Sequence, residues 1–130
     1  MNTIIQFENV SKLYGSGDAK VTALDRATFS IPSGSLTAIY GPSGSGKSTL
    51  LNVIGLLDRP TSGEYSIRGR STNEIRSDSE RARLRRNTFG FIFQQFNLLP
   101  RLSALENVLL PAVYARRRGR LQRATDLLKR

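Results

Sequence analysis

The octapeptide GPSGSGKS at residues 41–48 leaves the backbone few options. It matches G-x-x-x-x-G-K-[ST] in full, which chance gives in fewer than about 1% of chains this long at average glycine usage. Glycines at three of its eight positions allow dihedrals and a close main-chain approach that a Cβ forbids. An apolar run of strand type, Leu36 to Tyr40, leads into the pattern. Leu50, Leu51, Ile54 and Leu57 follow it at helical spacing, so a helix is expected from Lys47 to Leu57. A strand, this loop and a helix together turn backbone N–H groups around a compact polyanion, and the helix adds its positive end. Gly41, Pro42, Ser43, Gly44, Ser45 and Gly46 are the candidate wall of such a cradle. Lys47 is placed for β- and γ-phosphates, Ser48 for Mg2+, and Thr49 for an α-phosphate. The competing reading is an ordinary glycine-rich strand-to-helix turn.

Composition narrows the chemistry around that loop. The 130 residues suffice for one modest core, and 38% hydrophobic with 23% charged residues is a globular balance. With no cysteine there is no disulfide or thiolate chemistry, and with no histidine the commonest general base and metal ligand is missing. Leu50 to Leu57, the longest apolar stretch, is too short for a bilayer and is broken by Asn52 and Gly55. The start, MNTIIQFENV, does not read as a signal peptide. A cytoplasmic chain that does not itself span a membrane is the expectation. The net charge of +10 falls entirely after residue 65. Arg81, Arg83, Arg85 and Arg86 form one cluster; Arg116, Arg117, Arg118, Arg120 and Arg123 form another. Such clusters suit phosphate backbones, anionic lipid or an acidic partner, or are simply solvated helix faces. No nucleic-acid-binding motif accompanies them, so specific nucleic acid is not expected and that function ranks last.

Local patterns place the remaining elements. Ile4 to Val10, Thr22 to Ile31, Glu64 to Ile67 and Phe89 to Phe93 read as strands. Tyr14 to Asp18, Pro32 to Gly34 and Gly69 read as turns. Ser77 with Glu80 and Ser103 with Glu106 have capping-box spacing, ahead of helices that reach about Arg86 and past Val113. Pro111 within the second of these predicts a kink or restart. Leu121 to Arg130 reads as a last helix.

YGPSGSGKSTLLNVIGLLDRPTSGE, FGFIFQQFNLLP and LSALENVLLPAVYARR together carry a resemblance. The chain resembles the N-terminal portion of the ATP-binding subunit of ATP-binding-cassette transporters, in the subgroup serving lipoprotein release and macrolide export. The resemblance implies an α/β P-loop NTPase fold of that type. An N-terminal antiparallel β segment would occupy residues 1–35, an incomplete parallel core sheet 36–100, and the start of a helical subdomain 101–130. It implies Mg2+ and ATP as cofactors, Tyr14 as the aromatic that stacks on adenine, and Gln94, rather than Gln95, as the residue touching Mg2+ and the attacking water. It implies a transmembrane permease subunit as partner, homodimerisation in the complete protein, and a peripheral position on the inner face of the plasma membrane. Phe96, Leu98, Leu99, Pro100 and Leu102 would contact the permease or pack internally.

Other features depart from the family pattern. No LSGGQ-type signature occurs, no histidine can serve as the switch, and IGLLD imitates four apolar residues and Asp but continues into Arg59 rather than Glu. Hydrolysis needs an oriented water, a polarising group and charge stabilisation from several sides. The chain alone is therefore expected to turn ATP over near background, either as a truncated portion of the subunit or as a vestigial binding module. A parallel sheet without its later strands leaves ladder groups unpaired, so marginal stability and aggregation are expected.

Overall fold

The structure, a computed structural model, describes residues 2–115 and 118–130. It divides into two compact units, one running to Phe89 and the other from Gly90 to Arg130. Arg116 and Arg117 of the second basic cluster lie outside the described residues.

The first unit is an antiparallel sheet with helices. β1 (Thr3–Tyr14) and β2 (Val21–Pro32) form a long pair, β3 (Ser62–Ile67) joins the other side of β1, and the two-residue β4 (Arg70–Ser71) borders β3. The order is β2-β1-β3-β4. Ile5 and Phe7 alternate with exposed Gln6 and Glu8, as a half-buried strand requires. Phe7 stands opposite both Phe29 and Tyr65, with ring centroids 4.6 Å away in each case. Such pairs contribute roughly 0.5–1.5 kcal/mol beyond their buried area.

A bulge at Asn9, with φ of 51°, shifts the register so that Val10 also turns inward. The Asn9 N–H freed from the ladder donates to the Thr28 hydroxyl. β3 crosses β1 at this bulge through Gly63, where a Cβ would overlap the Asn9 and Val10 main chain.

α1 (Lys47–Ile54) lays Val53 on this sheet. It ends three residues before the Leu57 expected from periodicity. The Leu57 and Leu56 N–H groups fold back to the Asn52 and Val53 carbonyls, a Schellman closure. Leu56 takes the left-handed position at φ of 58°, a strain offset by its 1% exposure within the core. α2 (Asp78–Thr88) begins at Ser77, whose hydroxyl accepts from the Glu80 N–H. Arg59 pairs with Asp78, Arg70 with Glu80, and Arg85 donates to the Leu56 carbonyl. Arg85 of the first basic cluster is therefore spent inside the unit rather than offered to a partner.

Two expected strands are not formed. Residues 36–40 and 90–93 carry no strand pairing, and Phe89 is the C-cap of α2. Leu36 and Ile92 are fully exposed. Both segments have the apolar composition of interior parallel strands, but such strands are held by neighbours on both sides. Every strand pair among the described residues is antiparallel and involves neither segment.

The second unit pairs α3 (Ala104–Tyr114) with α4 (Arg120–Leu128). Ser103 and Glu106 form a full capping box. The Asn107 side chain binds the main chain of Leu99, Leu102 and Ser103, fixing the turn before the helix. α3 continues through Pro111 without restarting: the proline forfeits one bond to Asn107, and the Ala115 N–H still closes on the Pro111 carbonyl. No helix among the described residues is long and apolar enough to cross a membrane.

Candidate functional site

The glycine-rich loop joins the irregular segment after β2 to α1, and its conformation follows from its residues. Gly46 is the N-cap of α1 at φ 87°, ψ 5°. A Cβ there would run into the Ala23 carbonyl of β2, so only glycine lets the loop lie this close to the sheet. The Ser45 N–H turns back to the Pro42 carbonyl at 3.3 Å. Lys47 Nζ donates to the carbonyls of Gly41 and Pro42 at 2.8 and 2.6 Å, drawing its ammonium across the loop.

The first helical hydrogen bond runs from the Leu50 N–H to the Gly46 carbonyl. The amides of Lys47, Ser48 and Thr49 precede it and have no intrahelical acceptor. Loop carbonyls are thus partly satisfied by Lys47, while donors remain in excess at the positive end of a helix. That balance suits a polyanion. Ser48 is exposed and Thr49 half-buried.

Tyr14 ends β1, 40% exposed, and reaches this helix. Its hydroxyl donates to Asp58 Oδ2 at 2.6 Å, and the Thr49 hydroxyl lies near enough to favour the phenolate. The Asp58 bond wins, so the Tyr14 phenol is held above its ordinary pKa. Lys12 Nζ binds Asp58 Oδ1 at 2.6 Å and the Arg59 carbonyl at 2.8 Å, and stands 4.8 Å from the Tyr14 ring centroid. Burial pushes the Asp58 carboxyl up, but bonds from Lys12, Tyr14 and the Arg59 N–H together bring it below the usual carboxylate range.

The sequence reading placed Tyr14 here and missed Lys12 and Asp58. Lys12 is two residues before Tyr14 on one strand, hence on the same face, which is a readable signal. Asp58 lies four residues past the end of α1 and has no local signature. Gln94 belongs to the second unit, exposed on irregular backbone. Phe96 at 91%, Leu98 at 65% and Leu99 at 47% are exposed in the same unit.

The sequence matches the ABC transporter family over residues 24–130. It is 55% identical over 112 residues to a macrolide export ATP-binding/permease protein of Hyphomonas neptunium, covering 86% of this chain and 17% of that protein. It is 51% identical over 129 residues to the protein of that name from Burkholderia thailandensis, covering 98% and 20%. The structure superposes on the ATP-binding cassette MJ0796, solved as a dimer in a post-hydrolysis state bound to ADP and Pi, with a TM-score of 0.86 and 45% identity. That match covers 97% of this chain and 56% of the cassette. The chain therefore spans about a fifth of the length of these curated relatives. With a P-loop NTPase fold and a family match over most of its length, this chain belongs to the ABC transporter family.

Proposed function

We propose that the chain binds Mg·ATP through residues 41–49, with Tyr14 beneath the adenine, and that in the complete protein this binding drives export through a transmembrane permease. The observation that carries the reading is the donor excess at the loop. Lys47 is drawn over the Gly41 and Pro42 carbonyls, and three leading amides of α1 lack intrahelical acceptors.

The residues present fit the ligand. Gly41 to Thr49 would hold the phosphates, and Ser48 is the exposed hydroxyl for Mg2+. Held at Ser48, the ion would offset the charge of the phosphates. Gln94 is the proposed second contact to the ion and to water. Lys47 binds and orients, supplying a fixed cation at the loop. Relatives named as ATP-binding/permease proteins support a permease partner, and the solved cassette dimer supports a homodimer of the complete protein. A peripheral position on the inner face of the plasma membrane follows from that partner. Exposed Phe96, Leu98 and Leu99 offer apolar contacts to it.

The test is titration of a fluorescent ATP analogue with Mg2+. Lys47→Ala removes a charge-assisted contact and should weaken binding at least about tenfold. Unchanged binding would remove the loop from the site.

A further inference from the structure

The Tyr14 ring is held from two directions. At its edge, the hydroxyl donates to Asp58 Oδ2 at 2.6 Å. Over one face stands Lys12 Nζ, 4.8 Å from the centroid, itself bound to Asp58 Oδ1 at 2.6 Å. Asp58 is fixed in turn by the Arg59 N–H at 2.7 Å. One carboxylate thus uses one oxygen for the ring's edge and the other for the cation on its face. It belongs to the segment closing α1, whose opening turn carries Lys47, Ser48 and Thr49.

We infer that Asp58 is a positioning residue for the nucleotide base: with Lys12 it fixes the tilt of the Tyr14 ring and closes one of its faces, so that a base stacks only on the other. This rests on the nucleotide-binding reading above and adds to it a residue that touches neither phosphate nor base. The physical grounds are ordinary. A tyrosine on a strand end turns about two side-chain torsions, and stacking loses free energy if those must be frozen on binding. The bond to Asp58 freezes them beforehand. A cation on one face also excludes the base from that face while polarising the ring.

The experiment compares Mg·ATP with magnesium tripolyphosphate, which carries the phosphates and no base, by calorimetry on the 130-residue chain. The unmutated chain should bind both, ATP more tightly. Asp58→Asn should weaken ATP several-fold, up to about tenfold, the cost of immobilising one side chain on binding, and leave tripolyphosphate unchanged. Tyr14→Phe keeps the ring and the Lys12–Asp58 pair but removes the hydroxyl, and should produce the same selective loss. Adding Asp58→Asn to Tyr14→Phe should then cost little more. Equal weakening of both ligands, or fully additive losses, would overturn the inference by making Asp58 a support of the fold alone. If Asp58→Asn does not fold, Tyr14→Phe decides: undiminished ATP affinity overturns the inference. Failure of the unmutated chain to bind either ligand would overturn the nucleotide reading, and this one with it.

Discussion

The Tyr65 hydroxyl donates to the Ile54 carbonyl at 2.5 Å, joining the middle of β3 to the last residue of α1. Tyr65 is fully buried, its ring against Phe7, and burial drives its phenol far above the ordinary range, so it remains a donor at any working pH. This bond fixes the C-terminal end of the helix whose first turn borders the loop. Tyr65→Phe keeps the ring and leaves a helix-end carbonyl unpaired. The expected cost is about 1–2 kcal/mol of unfolding free energy, read as a lower urea midpoint with an unchanged slope. No shift in midpoint would mean that the carbonyl finds another donor.

Gly46 sets the approach of the loop to β2. At φ 87° and with the Ala23 carbonyl where a Cβ would sit, Gly46→Ala meets both backbone strain and overlap. Strain at such a position costs roughly 1–3 kcal/mol, before any displacement of the sheet. The variant should lose thermal stability and bind Mg·ATP and magnesium tripolyphosphate equally poorly. Gly44, also at positive φ but with open space around its missing Cβ, should tolerate alanine better. Equal effects at the two glycines would discard the steric account.

What the sequence made legible was local. The helix start at Lys47, both serine caps and the strand character of Ile4–Val10 and Thr22–Ile31 are written in neighbouring residues, and there expectation and structure agree. Leu36–Tyr40 and Phe89–Phe93 show why the remainder was not. An apolar run states a preference for being a buried strand but not which partner buries it, and the described residues pair neither segment. Asp58 failed for a related reason: its bond to Tyr14 joins residues far apart in the chain, and its own neighbourhood reads only as a helix end. Pro111 shows the converse. A restart there was one legible outcome, but the capped helix runs on through it with one bond fewer.

Arg81 is the least comfortable side chain of the first basic cluster. Its Nε is buried without a hydrogen-bond partner; burial and the nearby Arg59 and Arg85 disfavour its charge, while Asp78 and Asp58 favour it, and the net effect lowers its pKa. It lies with Leu56 and Ile75 around a cavity of about 150 Å³. Arg81→Leu removes the unpaired donor and the repulsion and supplies apolar volume. It should raise the denaturation midpoint slightly, because the half-buried side chain then leaves no unmade Nε–H bond. A lower denaturation midpoint for Arg81→Leu would show that the guanidinium contributes more than its contacts indicate.

Asp58 also gives the fold a pH dependence of known sign. Its folded pKa lies below its unfolded value, so the stability it contributes is present above the unfolded carboxylate range. That stability is lost as pH falls through the folded value, that is, below about pH 4. Asp58→Asn should flatten this part of the acid limb in stability measured between about pH 5 and 2, with little change of slope near neutrality. An acid limb identical in the two proteins would mean that the Lys12–Asp58–Tyr14 contacts are not kept in solution.

The apolar segments left outside the sheet govern how the chain behaves in solution. In the first unit Leu36 and Tyr40 are 100% and 89% exposed; in the second, Ile92 and Phe96 are 103% and 91%. Neither segment belongs to a ladder among the described residues, and both expose large apolar side chains, the combination that recruits another strand. Their burial contributes nothing to folding of this chain, and the core rests on few residues centred on Phe7, Val10, Val53 and Tyr65. The 130-residue chain should therefore bind a hydrophobic dye while folded and associate as concentration rises. It should also melt without a sharp transition above about 50 °C. Light scattering, dye fluorescence and calorimetry over a concentration series check this. A monomeric, dye-silent chain with a cooperative melt above that temperature would show that these segments are covered in solution. Ile92→Lys should reduce association without lowering the denaturation midpoint, because Ile92 makes no contribution to the core.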